Sequence, residues 1–81
     1  MRVRVRLFAS LREAVGASEV ELDLPEGATA ETAWQHLAEA HAALAPRRAR
    51  LTAAVNRGYA PFDTPLREGD ELVFVPPVSG G

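Results

Sequence analysis

The opening of the chain alternates so strictly that little besides a half-buried β-strand fits it. Val3, Val5 and Leu7 fall on one side of an extended backbone, and Arg2, Arg4, Arg6 and Phe8 fall on the other. A period of two is that of a strand, and apolar-in, polar-out alternation belongs to a sheet covered on one face. A second run does the same: Val20, Leu22 and Leu24 alternate with Glu19, Glu21 and Asp23 until Pro25-Glu26-Gly27 closes it. Such faces need a cover, and the next segment supplies one. Thr29 is placed to cap a helix whose positions Ala30, Ala33, Trp34, Leu37, Ala38, His41 and Leu44 recur at helical spacing. Pro46 is expected to end it.

The remaining elements are shorter. Ser10-Leu11-Arg12-Glu13 matches a capping box with Ser10 as N-cap, and Gly16 suits the stop of a one- to two-turn helix. Leu51 to Val55 reads as a strand, Asn56-Arg57-Gly58 as its turn, and Tyr59 to Phe62 as an edge strand, because Pro61 forbids a central one. Asp63-Thr64-Pro65-Leu66 is a local turn in which Asp63 is placed to bond backbone amides. Glu68-Gly69-Asp70 turns again, and Glu71 to Val75 is the last strand. The expected fold is α+β: a mixed sheet of four to five strands, one long helix on one face, and a short helix after the first strand. Residues 1–75 form the domain and residues 76–81 a flexible tail.

At 81 residues there is room for one small core. There is no cysteine, hence no disulfide framework, and no long apolar run or signal-peptide pattern, so a cytoplasmic protein without membrane contact is expected. A net charge of −2 is unlike a nucleic-acid binder. Every basic residue is an arginine. The cluster Arg47, Arg48 and Arg50 follows the expected helix end, where cations complement the helix dipole. No catalytic set is visible. His36 and His41 stand about 140° apart around a helix and cannot share a metal. Ser10, Ser18 and Ser79 have no histidine placed to activate them, and no phosphate or dinucleotide glycine motif occurs.

Parity assigns the surfaces. Leu72 and Phe74 belong to the core with Val3, Val5 and Leu7, leaving Val73, Val75 and Phe8 on the outer face. If the first and last strands are neighbours, these residues, with Tyr59, form an apolar patch at the root of the tail, of the kind that marks a protein interface. The tail itself reads Pro76-Pro77-Val78-Ser79-Gly80-Gly81. Its prolines lack amide donors and hold it extended, giving a reach of roughly 20 Å. Two glycines carry no side chain to shield the terminal carboxylate. Taken alone, such an end is either a frayed terminus or a reactive group built to enter a narrow channel.

The segments VRLFASLREAVG (5–16), AAVN (53–56), DTPLREGDELVF (63–74) and PPVSGG (76–81) resemble the small subunit of molybdopterin synthase along the whole chain. The resemblance implies the ubiquitin-like β-grasp fold, with the first and last strands as parallel neighbours. It implies a sulfur carrier without catalysis of its own. A partner adenylyltransferase uses ATP to adenylate the Gly81 carboxylate, and a sulfur donor converts the product to a thiocarboxylate. The tail then enters the large synthase subunit, where sulfur passes to the cyclic pterin precursor. Gly80 and Gly81 are carried over as the functional residues, and Pro76, Pro77, Val78 and Ser79 as the threaded tail. Phe8, Tyr59 and Val75 match the family's apolar contacts to the large subunit, position 75 being smaller here than the aromatic of some members. Two small and two large subunits, with no cofactor on the small one, are the implied assembly. A carrier for thiamin or transfer-RNA thiolation, and a ubiquitin-like protein modifier, are the alternatives of the same fold.

Overall fold

β1 (Arg2–Arg6) buries Val3 and Val5 completely and leaves its three arginines exposed. The structure, a computed structural model, describes residues 1–77. β1 pairs antiparallel with β2 (Glu19–Asp23) and parallel with β5 (Glu71–Val75). β5 pairs antiparallel with β3 (Thr52–Val55), which forms a hairpin with the edge strand β4 (Gly58–Ala60). The order is β2-β1-β5-β3-β4. The last strand of the chain is therefore the middle strand of the sheet, parallel to the first, as the β-grasp resemblance implied.

Two parallel neighbours need a connection that crosses over the sheet, and α2 (Ala30–Ala40) lies within it. Ala30, Ala33, Trp34 and Leu37 are the buried stripe of α2, and they join Val3, Val5, Leu7, Leu72 and Phe74 in one core. Trp34 meets Phe74 edge-on with ring centroids 5.1 Å apart, and Phe62 stacks on Phe74 at 5.8 Å. Trp34 is 2% exposed and is a core anchor. Thr29 caps α2 as expected: its hydroxyl accepts the Thr32 N–H, while Thr32 Oγ1 accepts the Thr29 N–H at 3.1 Å.

Both helices depart from expectation at one end. α1 (Ala9–Val15) begins before Ser10, with extended Phe8 as its N-cap and no side-chain cap. The Phe8 carbonyl accepts the Leu11 and Arg12 N–H groups, so the turn closes around Phe8 and Ser10 sits inside the helix. Burial decides this start, because Leu7 and Leu11 must both reach the core, where they are 1% and 0% exposed. Gly16 ends α1 in the left-handed conformation at φ 85°, its N–H bonded to Arg12.

α2 stops at Ala40, with His41 as C-cap, and the chain continues as a 3₁₀ segment, Ala42–Arg50, that contains Pro46. The proline thus acts a full turn earlier than expected. In an α-helix its ring would meet the carbonyl of the fourth residue before it, Ala42, and it offers that carbonyl no N–H. The α-helix ends just short of Ala42, and the 3₁₀ segment still brings Leu44 to full burial. Arg48 fastens this segment: its Nε donates to Glu31 Oε1 at 2.8 Å, and its guanidinium lies 3.4 Å over the Phe62 ring.

Turns fix the remaining register. Asn56 and Arg57 both have positive φ, 50° and 72°, the type I′ geometry of a two-residue hairpin loop. Asn56 also reaches β5, donating to Asp70 Oδ1 and accepting the Glu71 N–H. The backbone amides of this region are taken by Asp70, which accepts Arg67 N–H, and by Glu68, which accepts Arg2 N–H. Asp63 makes no such bond among the described residues. In its turn the Thr64 N–H goes to the Pro61 carbonyl instead.

Candidate functional site

Because β5 is central, its C-terminal end leaves the sheet with strands on both sides, and the tail departs from the middle of that edge. Directly opposed residues on neighbouring strands point to the same face. Glu19, Arg6, Val73, Ala54 and Tyr59 are therefore one row across the outer face. The next row toward the tail contains Val75 and Thr52. Leu7 is buried and Phe8 extended, so the alternation of β1 carries past its last ladder bond and puts Phe8 on the outer face beyond Arg6.

Phe8 is 46% exposed and Tyr59 78%, and they are the exposed large hydrophobic residues of the described chain. They are three strand spacings apart, about 14 Å. Half-buried Val73 and Val75 lie between them with the small side chain of Ala54. The Arg6 guanidinium sits 5.6 Å from the Phe8 ring centroid, over one face of the ring. The structure thus places Phe8, Val75 and Tyr59 on one face of the sheet, Phe8 and Val75 beside the tail root and Tyr59 two strands away on the edge strand. Pro76 is half-buried and Pro77 exposed. Val78, Ser79, Gly80 and Gly81 lie outside the described residues.

Farther from the tail the same face turns ionic. Arg2 pairs with Glu21 at 3.3 Å, and Arg6 approaches Glu71 at 3.9 Å. The Arg2–Glu21 pair is exposed and the Arg6–Glu71 pair partly so, and each contributes about 1 kcal/mol or less. They mark where the apolar patch ends. The carboxylates of β2 are a cross-strand ladder to the arginines of β1, a partnership that alternation alone left unassigned.

His36 is exposed and His41 half-buried, and no group of three or more potential ligands forms a metal site among the described residues. The sequence reading missed the second wall of the tail root. Arg47 and Arg50, read as dipole partners of a helix end, line a cleft of about 280 Å³ with Pro76 and Pro77. The signal lay in Pro46, whose early break of α2 carries these arginines back toward the tail.

A model of the ThiS family matches residues 5–81. The molybdopterin synthase sulfur carrier subunit of Escherichia coli K12 is 46% identical over 83 aligned positions, which cover 98% of this chain and 99% of that one. Among solved structures, SAMP1 from Haloferax volcanii superposes with a TM-score of 0.90 at 32% identity, covering all of both chains. A chain in the complex of subunits 1 and 2 of the molybdopterin-converting factor from Helicobacter pylori 26695 shares the fold, with a TM-score of 0.69 at 22% identity. This chain belongs to the ThiS family.

Proposed function

We propose that this chain is the sulfur carrier subunit of a molybdopterin synthase. The observation that carries the reading is the end-to-end match to the Escherichia coli sulfur carrier subunit. The geometry supports it: the tail leaves the middle strand beside an exposed apolar patch.

The reacting group is the carboxylate of Gly81. Ionised at neutral pH, it is a poor electrophile. A partner adenylyltransferase joins it to the α-phosphate of ATP, releasing pyrophosphate, and hydrosulfide released from a sulfur donor then attacks the acyl carbon and displaces AMP. The product is a thiocarboxylate whose soft anionic sulfur needs no cysteine on the carrier. The paired glycines let this end pass down a channel in the large subunit, where sulfur moves to the cyclic pterin precursor. The chain's own contribution is presentation. Phe8, Tyr59, Val73 and Val75 seat it on the large subunit, Pro76 and Pro77 keep the tail off the sheet, and no cofactor binds here.

The test is sulfuration of the cyclic precursor by the thiocarboxylated chain together with a large synthase subunit. Formation of the dithiolene product is expected, and loss of it when Gly81 is deleted. Product formed equally well by the deletion would overturn the reading. The likeness to SAMP1, a small archaeal modifier protein, favours a second reading, attachment of Gly81 to lysines of other proteins. ATP-dependent isopeptide products without pterin sulfuration would select it. Chains built on its own side chains are precluded, because the sequence has no lysine.

A further inference from the structure

The apolar patch accounts for one side of the tail root. The cleft on the other side lies between the start of α1, at Ser10 and Leu11, and the end of the 3₁₀ segment, with Pro76 and Pro77 as its tail-side wall. Two features of this cleft point outward. The first is the aim of its arginines. Arg47 and Arg50 both line the cleft, while Arg48 is committed to Glu31 and Phe62. Arg47 and Arg50 are exposed and make no ion pair among the described residues. The second is local charge. The chain as a whole carries −2, yet no Asp or Glu occurs between Glu39 and Asp63, the stretch that holds Arg47, Arg48, Arg50 and Arg57.

The carbonyl end of the 3₁₀ segment favours cations nearby. That accounts for arginines at this end, but not for two of them facing the strand exit. Two like charges lining one cleft repel each other unless an anion joins them. A channel that admits the tail must also surround its root, meeting the apolar patch on one side and this cleft on the other. We propose that Arg47 and Arg50 form the ionic half of the docking surface for the large synthase subunit, receiving carboxylate side chains on the rim of its tail channel. The proposal rests on the function proposed above. A nucleotide phosphate is the poorer occupant, because adenylation takes place at Gly81, four residues beyond Pro77, a span of up to about 13 Å. Rim charge pairs mainly raise the association rate and set orientation, while apolar contacts slow dissociation. The two halves of the surface therefore separate kinetically.

The experiment is stopped-flow binding of the full chain to the large subunit of molybdopterin synthase from the same organism. The double variant R47E/R50E is expected to associate about tenfold more slowly or worse at about 50 mM salt. The deficit should shrink to about twofold or less at about 500 mM, where the Debye length is only about 4 Å. R47Q/R50Q, which removes charge without reversing it, should fall between, and thermal unfolding should confirm that both variants fold as the unaltered chain does. Phe8→Arg should instead raise the dissociation rate at both salt concentrations. Unaltered association of R47E/R50E at low salt, with the parent chain binding well, overturns the ionic half alone. A parent chain that does not bind the large subunit overturns the functional reading and this one with it. Inorganic phosphate titrated into the isolated chain should leave the Arg47 and Arg50 resonances unmoved. A saturable shift there would assign the cleft to a small anion and overturn the proposal.

Discussion

Phe74 and Phe8 show how one residue type takes opposite roles from its parity. Phe74 is 0% exposed, held between Trp34 and Phe62, so Phe74→Ala should lower stability by about 3–5 kcal/mol in a denaturant titration. Phe8 is half open to solvent, and Phe8→Arg should change stability by no more than about 1 kcal/mol while weakening large-subunit binding. A large loss of stability in that variant would place Phe8 in the core and remove the patch. Gly16 separates conformation from space. Its φ is 85° and a Cβ added there meets nothing within 4 Å, so Gly16→Ala should cost about 1 kcal/mol through backbone strain alone. A cost several times larger would mean that α1 depends on that cap for more than its turn.

At the scale of elements, the legible parts were those where local chemistry and burial agree. β1 and β5 follow from alternation, since a one-residue slip would expose Val5 or Phe74, and the caps at Thr29 and Gly16 follow from side-chain and backbone chemistry. Where local pattern and packing compete, packing sets the boundary. Ser10 loses its expected cap because Leu11 must be buried one turn after Leu7. Pro46 was legible as a breaker, but its reach back to Ala42 and the 3₁₀ segment that results depend on where Leu44 and Arg48 find partners. For the site, Phe8 and Val75 could be placed by parity, whereas the Arg47 and Arg50 cleft required the break in α2. Thr29→Ala tests the capped end. It should cost about 1 kcal/mol, read as a shift of the unfolding midpoint with unchanged denaturant dependence. A change in that dependence would show that α2 had come away from the sheet.

For the whole molecule the margin is narrow: a domain of this length holds roughly 4–12 kcal/mol against unfolding. The Phe74→Ala change alone removes a large share of it. The fold spends its apolar surface on one core beneath one helix, and keeps a second, smaller apolar surface at the edge where the tail leaves. On the proposed function, reactivity is thereby separated from stability. Deleting Gly81 should leave the thermal midpoint within a degree or two, since about 1 kcal/mol would move it by several degrees in a domain of this size.

The most direct measurement is the intact mass of the chain after incubation with an adenylating enzyme, ATP and a sulfur donor. The expected result is replacement of one oxygen by sulfur, located at Gly81 by fragmentation and absent from the Gly81-deleted chain. An unchanged mass with active enzymes, or sulfur found anywhere but the terminal glycine, would contradict the account.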